Sequence, residues 1–323
     1  MKVPTIFQVI TAVVGLGSAT VGLAQDYPNR PVKLVVGYVP GGGPDMVGRA
    51  LAQKLSDLLG QPFIVENKPG AGGTLATGVV AKTAADGYTL LVGETGQLVI
   101  APYIYKSLSY KTLKDFTPVA LVTSEPLLLV SNPKSNIKTL QDLVQQAKAN
   151  PGVISYGSSG IGTIHHIAGE VFKAGAGIDL AHIPYKGSGQ SVPAVLSGDV
   201  PVLVTSFAGA GGSIRAGTLN LLAVTSANRL PTMPNVLAVS EMLKDYAFPS
   251  EVGILAPAGL PPAILAKLTA AIKAASESPD FLSRFKDTST IATYKTPTEY
   301  AENLRANLQK YEQATKLAKI TPE

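Results

Sequence analysis

The sequence predicts an α/β protein of two lobes, each built on a mostly parallel sheet that helices flank. Two observations predict this fold class. Short apolar runs alternate with stretches of helical spacing, an order that is typical of parallel strands joined by crossover helices. The alternation occurs in two blocks, which the extended apolar stretches 119–130 and 219–226 connect. Because the chain crosses twice, we expect residues 25–125 and 226–323 to form one discontinuous domain and residues 126–225 to form the other.

The first block shows the alternation clearly. Its opening run, 32–36, is apolar and β-branched, which predicts a buried strand. Glycine and proline end that strand at 40–44. Helical spacing then runs from Asp45 to Leu59 and stops at Gly60, a residue type common at helix C-termini. The same signals predict, later in this block, strands at 63–65 and 88–92 and a helix at 74–84.

The middle block repeats this design, and the last third changes character. Pro201 lies near the start of one predicted strand, which favours an edge strand or a first-residue position. Pro261 is expected to open a helix that runs to Ser276. The Thr-x-x-Glu capping box at Thr296 opens a final helix to about Lys319, and no strand is expected between the two. In the middle block, the predictions are strands at 153–156, 181–184, 200–205 and 219–224 and helices at 139–150, 163–174, 188–196 and 214–216.

The N-terminal segment predicts secretion. Lys2 precedes an uncharged, mainly apolar stretch that ends in Gly22-Leu23-Ala24, a small-x-small pattern that signal peptidases cleave. A membrane anchor is the alternative, because the stretch is long enough to span a bilayer, but threonine, serine and glycine dilute it. We therefore expect a cleaved signal peptide at 1–24. Since the chain has no cysteine, a lipid anchor, disulfides and cysteine-built metal sites are excluded.

The charge balance favours an anionic ligand. The sequence has a formal net charge of +5 at pH 7, which speeds the encounter with anions. Nucleic acid is the other common partner of a basic chain. However, the lysines are dispersed, no stripe of aromatic and basic residues occurs, and tryptophan is absent. We therefore expect a small anion, and no nucleic acid, as the partner.

Three glycine-rich turns stand in equivalent places, each between the end of a predicted strand and the start of a helix. They are segments 40–45, 93–97 and 157–163. Ligands of open α/β sheets bind beyond the carboxyl ends of the strands, where backbone N–H groups and helix dipoles attract anions. Glycine has no Cβ and lets a small ligand approach the main chain. Any one turn is equally well explained as a simple chain reversal, but three in equivalent places favour a shared anion site. The hydroxyl donors in the third turn are Ser158, Ser159 and Thr163.

Patterns for nucleotides, metals and catalysis are weak. Segment 157–162 lacks the Gly-Lys-Ser/Thr of a P-loop and the spacing of dinucleotide sites, and no Gly-x-Ser-x-Gly elbow occurs. His166 and Glu170 are four residues apart on a predicted helix, so a metal or an acid–base pair is conceivable, although no third ligand is evident. Packing or capping is favoured for His166 and a structural role for His182, whereas His165 could donate to a ligand. We expect no cofactor, no metal and no catalytic residues.

Short motifs along the chain indicate its family. In chain order they are YPNRP at 27–31, YVPGGGPD at 38–45, ENKPGAGG at 66–73, DGYTL at 86–90, YGSSG at 156–160, HIAGE at 166–170, HIPYKG at 182–187, AVTS at 223–226 and LAPAG at 255–259. Each motif alone is weak, but their order is specific. With these motifs the sequence resembles the Bug family, the substrate-binding proteins of tripartite tricarboxylate transporters, over nearly the whole chain after the signal segment.

The resemblance implies a Venus-flytrap fold of the type II periplasmic class, in which two domains enclose the ligand. It also implies a carboxylate held by backbone amides, hydroxyls and waters rather than by an arginine. The implied partners are the membrane subunits of a tripartite transporter. We expect a periplasmic monomer that binds reversibly and is no enzyme; the alternatives are a sensor component that reports occupancy to a signalling partner and an enzyme that uses the same cleft. Tricarboxylates, C4–C6 dicarboxylates, acidic amino acids and aromatic carboxylates all stay open as ligands.

Four positions depart from the family pattern and bear on the ligand. Pro44 stands where threonine or serine is usual, and Glu94 where a small residue is common. His165 stands where serine is frequent, and Thr205 where aspartate is frequent. If Glu94 faces the cleft, it should repel a second carboxylate unless it is protonated or bridged. Tyr38 could stack on an aromatic ligand or pack in the core. The predicted ligand-binding residues are Tyr38, Pro40, Gly41, Gly42, Gly43, Asp45, Glu94, Thr95, Gly96, Ser158, Ser159, Gly160, Ile161, Gly162, Thr163, His165 and Thr205.

Overall fold

The structure is a computed structural model that describes residues 27–286 and 288–322. The predicted signal peptide, 1–24, lies outside the described residues. The strands are β1 (Val32–Val36), β2 (Phe63–Asn67), β3 (Thr89–Glu94), β4 (Phe116–Pro126), β5 (Leu128–Ser131), β6 (Ser155–Ser158), β7 (Ala181–Pro184), β8 (Val202–Thr205), β9 (Asn220–Val224), β10 (Pro249–Pro257) and β11 (Ile291–Lys295). The α-helices are α1 (Gly43–Leu59), α2 (Thr74–Val80), α3 (Ala101–Ile104), α4 (Thr112–Asp115), α5 (Leu140–Ala149), α6 (Ile164–Ala176), α7 (Ser188–Ser197), α8 (Phe207–Arg215), α9 (Pro262–Ser276), α10 (Pro279–Ser283) and α11 (Pro297–Leu317).

The strands form two sheets, one in each lobe. The first sheet has the order β11-β4-β10-β3-β1-β2 and the second the order β7-β6-β8-β5-β9. The α/β class with two helix-flanked sheets is thus confirmed. The sheets are mixed rather than mostly parallel: β1 is parallel to β2 and β3, and β6 to β7 and β8, whereas the other pairings are antiparallel.

The antiparallel pairings follow from the path of the chain between the lobes. One residue, Leu127, separates β4 from β5, so the stretch 119–130 leaves the first sheet and enters the second, as expected. β10 brings the chain back and therefore runs opposite to β4, with Ser250 paired to Glu125. β9 pairs only with a strand of the second sheet, so it is not part of the return path. The chain returns to the first sheet through segment 225–248, which is mostly irregular.

The last third contains strands, so the expectation of helices without strands between them is wrong. β10 is an interior strand of the first sheet, and β11 lies at its edge between α10 and α11 in the chain. β11 is an edge strand with an irregular register, and most of its side chains are half-buried. Its sequence therefore lacks the clear alternation of apolar and polar residues that would have predicted a strand. Pro201 directly precedes β8, an interior strand, which agrees with the first-residue position and excludes the edge. The start of the last helix is confirmed, since Thr296 caps α11 and Glu299 closes the capping box.

The C-terminal helix joins the two lobes. Tyr311 of α11 belongs to a buried apolar cluster that also contains Leu91 of the first sheet and Val202 of the second. On the same helix, the Lys310 ammonium donates to the Ala247 carbonyl and lies 4.4 Å from the centre of the Phe248 ring. Residues 247 and 248 end the return path, so α11 fastens this connection to the core.

Helix starts converge on the space between the sheets. A loop follows each of the strands β1, β3, β6 and β8 and leads into a helical segment beside this space. In the same order, these segments are α1, a single π-helical turn at Gly96–Ile100, α6 and α8. α7 begins after the loop that follows β7. The three predicted glycine turns are therefore strand-to-helix loops, which places them at one edge of each sheet.

Candidate functional site

A cleft of about 550 Å³ lies between the two lobes, and loops of both sheets form its walls. The predicted residues that line it are Tyr38, Gly42, Gly43, Glu94, Gly96, Ser159, Ile161, Gly162, Thr163 and His165. The predicted residues outside its lining are Pro40, Gly41, Asp45, Thr95, Ser158, Gly160 and Thr205. Several of the latter hold the lining residues in place.

Asp45 shapes the first loop. Its buried carboxylate accepts hydrogen bonds from the Gly41 backbone N at 2.9 Å, from Arg49 Nε at 2.9 Å and from Asn67 Nδ2 at 2.8 Å. Burial alone raises the pKa of Asp45, but the donors, with Arg49 foremost, outweigh it and hold the pKa below its usual range. Gly41 has φ +88°, a left-handed conformation that favours glycine. Asp45 therefore fixes the loop and occupies the positive end of α1.

Glu94 faces the cleft and is held by three donors. Its Oε2 accepts from the Tyr38 hydroxyl and from the Gly96 backbone N, both at 2.8 Å, and its Oε1 accepts from Ser250 Oγ at 2.8 Å. The Tyr38 hydroxyl also lies 3.1 Å from the Gly72 carbonyl oxygen, so its ring is held against the segment that follows β2. The open question about Glu94 is answered: its carboxylate lies in the cleft wall.

Glu125 is a second carboxylate in the wall, and the sequence prediction missed it. It lies near the end of β4, where its backbone neighbour across the sheet is Ser250. Ser289 Oγ donates to it at 3.4 Å, and the backbone N–H of Phe207, at the start of α8, lowers its pKa. Burial raises the pKa of Glu125, and the negative charge of Glu94 adds to the rise. The available signal was a lone glutamate inside the apolar stretch 119–130.

The third loop leads into α6 through glycines with unusual backbone angles. Gly160 has φ +130° and Gly162 has φ +75°, conformations that other residues adopt only with strain. The Gly160 N donates to Ser158 Oγ at 3.1 Å, and the Gly162 N donates to His166 Nδ1 at 3.2 Å. Thr163 caps α6 by accepting from the His166 N at 3.4 Å. Ser158 and His166 are thus the internal supports of this loop.

A histidine pair lies behind the loop. The rings of His166 and His182 stack with centroids 4.0 Å apart, and His182 Nε2 lies 2.7 Å from Ser158 Oγ. Burial lowers the pKa of His166, and it lowers the pKa of His182 to about 4. Glu170 accepts from the Tyr156 hydroxyl at 2.7 Å and pairs with a lysine, so it does not form a site with His166. In the described part of the chain, no group of three potential metal ligands occurs.

His165 and Ser159 present unpaired polar atoms to the cleft. Both His165 ring nitrogens and Ser159 Oγ are shielded from solvent and, among the described residues, have no hydrogen-bond partner. Burial lowers the pKa of His165 to about 4, so its imidazole is neutral at pH 7 and offers one donor and one acceptor. Because an unpaired buried polar atom costs about 1–3 kcal/mol, these atoms are poised for a ligand.

The starts of α6 and α7 adjoin. The Gly187 N, at the start of α7, donates to the Ser159 carbonyl at 3.1 Å, which ties the two loops together. Neither helix has an acidic residue in its first turn, and no side chain caps α7. First-turn N–H groups lack partners inside their helix and carry the positive end of its dipole. The α6–α7 corner is therefore an electropositive part of the cleft.

Two predicted residues lie outside the cleft lining, and one of them supports the wall. Thr95 Oγ1 accepts from the Glu251 backbone N at 2.8 Å, which links the residue after β3 to β10. Thr205 is fully buried, and its Oγ1 has no partner within the described residues. Further lining residues that the sequence prediction missed are Ile104, Tyr105, Leu127, Ser188, Ser206 and Ser250.

Comparison with known proteins identifies the family. Residues 47–316 match the tripartite tricarboxylate transporter family receptor, TctC. The chain belongs to this family. BugT of Bordetella pertussis is 34% identical over 309 residues, which cover 94% of this chain and 95% of BugT. The resemblance to the Bug family is thereby confirmed.

Solved structures of this receptor family have the same fold. Rpa4515 of R. palustris with adipate has a TM-score of 0.82 and 30% identity, over 92% of this chain and all 100% of that one. MatC from Rhodopseudomonas palustris with bound malate has a TM-score of 0.76 and 29% identity, over 89% of this chain and 99% of that one.

None of the helices within residues 27–286 and 288–322 combines the length and the apolar character that a membrane span requires.

Proposed function

We propose that this chain is a periplasmic receptor that binds a small carboxylate reversibly and delivers it to the membrane subunits of a tripartite transporter. The observation that carries the proposal is the meeting of α6 and α7 starts in the cleft wall. Paired helix N-termini with unused N–H groups are a ready site for an anion. A carboxylate there would also reach the unpaired Ser159 Oγ and His165 nitrogens.

The relatives support the choice of a carboxylate. Rpa4515 has been solved with adipate and MatC with malate, and both ligands are dicarboxylates. Within this chain, no arginine or lysine lines the cleft among the described residues. Capture therefore depends on main-chain donors, hydroxyls and helix dipoles, which act on a single carboxylate group at short range.

We propose reversible binding without a reaction. Ser158 Oγ and His182 Nε2 lie 2.7 Å apart, a distance that is typical of a catalytic nucleophile and its base. Ser158 is fully buried, however, and its Oγ already accepts from the Gly160 N, so a substrate could not reach it. The pair instead holds the loop that lines the cleft.

Secretion and closure complete the proposal. We propose that 1–24 is removed as a signal peptide and that the periplasmic chain acts as a monomer without binding nucleic acid. The proposed domains are 25–125 with 226–323, and 126–225. Closure around the ligand would be driven by contacts that form only when both walls meet it.

The proposal is tested by calorimetric titration of the mature protein with a panel of mono-, di- and tricarboxylates and amino acids. We expect at least one to bind, and a micromolar ligand at millimolar concentration to stabilise the fold by about 4 kcal/mol. Gly42→Val should abolish binding, because the new side chain would project where the ligand approaches the first loop. The fold should tolerate it, since the nearest atom to a Cβ there is the Val39 carbonyl oxygen at 3.7 Å. Gly212→Val, on the exposed side of α8 with nothing within 4 Å, is the matched control and should bind normally.

If every carboxylate failed to bind or to raise the melting temperature, the proposed function would be wrong. Equal affinities of the Gly42→Val and Gly212→Val variants would instead remove the first loop from the site.

A further inference from the structure

The two walls of the cleft have opposite electrostatic character. The wall of the second lobe carries the starts of α6 and α7, which have no acidic residue in their first turns. The wall of the first lobe carries the carboxylates of Glu94 and Glu125. A ligand that spans the cleft therefore meets a positive field at one end and a negative field at the other.

Ser250 brings the two carboxylates into one patch. Its hydroxyl donates to Glu94 Oε1 at 2.8 Å, and its backbone pairs directly with Glu125 across the β4–β10 ladder. Side chains of directly paired residues lie on the same face of a sheet, about 5 Å apart at Cβ. Glu94 and Glu125 thus border the same part of the wall, which we call the acidic patch (Glu94, Glu125 and Ser250).

The donors around the acidic patch satisfy lone pairs but not charge. Tyr38, Gly96 and Ser250 donate to Glu94, and Ser289 donates to Glu125. The Phe207 N–H at the start of α8 lowers the pKa of Glu125, but it too belongs to a neutral group. Within the described residues, no ion pair joins either glutamate to a lysine or arginine. A buried charge without a countercharge is costly, and an incoming cation would relieve that cost.

A metal ion is not the best occupant of the acidic patch. In the part of the chain that the structure describes, no three carboxylate or imidazole groups come together, and hard divalent cations prefer a richer set of oxygen ligands. An ammonium group needs only two or three acceptors. Glu94 Oε1 accepts one hydrogen bond and has a lone pair left, and Glu125 supplies a second oxygen pair.

We propose that the ligand is an amino carboxylate, bound with its carboxylate at the α6–α7 corner and its ammonium group at the acidic patch. This inference rests on the proposed function, since it assumes that a carboxylate enters the cleft. It narrows the ligand class, because a second carboxylate at the acidic patch would meet two like charges. Glu94 and Glu125 are then specificity-determining residues.

Matched ligands isolate the far end of the molecule. Glutarate, 4-aminobutanoate and pentanoate share one carboxylate and three methylenes and end in a carboxylate, an ammonium and a methyl group. The same comparison is made with chains of two, four and five methylenes and with α-amino acids against the corresponding dicarboxylates. For the wild-type protein we expect the ammonium-ended member of each binding set to bind at least tenfold more tightly than the carboxylate-ended member.

The double variant Glu94→Gln/Glu125→Gln tests the residues. Glutamine keeps the size and the acceptor oxygen of each side chain but removes the charge. We expect the preference for the ammonium-ended ligand to fall at least tenfold, while circular dichroism shows an unchanged fold. Glu302→Gln, which removes an exposed charge from α11, is the control and should keep the wild-type preference.

The outcomes separate this inference from the proposed function. If dicarboxylates bind the wild-type protein as tightly as their amino counterparts, the amino-carboxylate assignment is overturned and the receptor function stands. The same holds if the double variant keeps the wild-type preference. If no member of any set binds, this inference is overturned, and the proposed function is overturned with it if the tricarboxylates of the wider panel also fail to bind.

Discussion

Acid should weaken this fold in part through His165, a histidine of the cleft wall. His165 lines the cleft with both ring nitrogens shielded from solvent and, among the described residues, unpaired. Burial lowers its pKa from 6.5 to about 4, so the folded protein keeps the imidazole neutral where the unfolded chain would protonate it. The test is a change of pH from 7 to 4, applied to the wild-type protein and to a variant that lacks the His165 imidazole.

The magnitude follows from the difference between the two pKa values. One pKa unit corresponds to about 1.4 kcal/mol, so a fall from 6.5 to about 4 gives a contribution of about 3 kcal/mol. The unfolded chain binds the proton first as the pH drops. The free energy of unfolding is therefore unaffected by His165 above pH 6.5, declines through the window from 6.5 to about 4, and changes no further below it.

Urea unfolding of the wild-type protein and of His165→Asn at pH 7 and pH 4 measures this contribution. All other groups titrate in both proteins, including His182, whose pKa is also lowered to about 4. The wild-type protein should lose about 3 kcal/mol more than the variant between the two pH values. Equal losses in the two proteins would refute the reasoning, because His165 would then be free to take up its proton in the folded state.

Three smaller changes probe the frame around the cleft. Gly253→Ala should lower the free energy of unfolding by about 2 kcal/mol in urea, because its Cβ would come within 2.5 Å of the Tyr300 ring; Gly212→Ala, with open space around it, should not. Thr139→Ala should cost about 1 kcal/mol, as it removes the N-cap of α5, and an unchanged melting temperature would contradict this. Asp45→Asn should destabilise the protein at neutral pH, and the difference from wild type should shrink as the pH falls through the lowered pKa of this carboxyl; a difference that stayed constant with pH would contradict the assigned role.

Much of the fold could be predicted from periodicity and turn residues. Gly60 ends α1 in the left-handed conformation with φ 70°, and Thr139 and Thr296 cap the helices that they were expected to open. These signals are local, because a capping hydroxyl or a glycine acts within one turn of the backbone. The mixed sheets could not be predicted in the same way. Strand direction in β10 depends on where the chain crosses between lobes, which is a property of the whole topology.

The site was predictable where glycine marks it and not elsewhere. Turns 40–45, 93–97 and 157–163 lie at the cleft because strand ends collect there. Ser250 and Glu125 enter the wall from the crossing strands, and no sequence pattern connects them. The hydrogen bond from Ser250 to Glu94 spans 156 residues of chain, so only the assembled sheet brings the pair together.

Glu125 also connects ligand charge to closure. It lies on β4 of the first sheet, yet the backbone N–H of Phe207, at the start of α8 in the second lobe, lowers its pKa, and Ser206 and Ala208 line the same cleft. Separation of the lobes would remove that N–H from the carboxylate and expose the carboxylate to water. A ligand ammonium group at the acidic patch would stabilise the carboxylate where both lobes surround it. The charge that selects the ligand would therefore also favour the closed form. The ligand would then bind the closed form more tightly than the open form, and this difference in affinity is what drives closure.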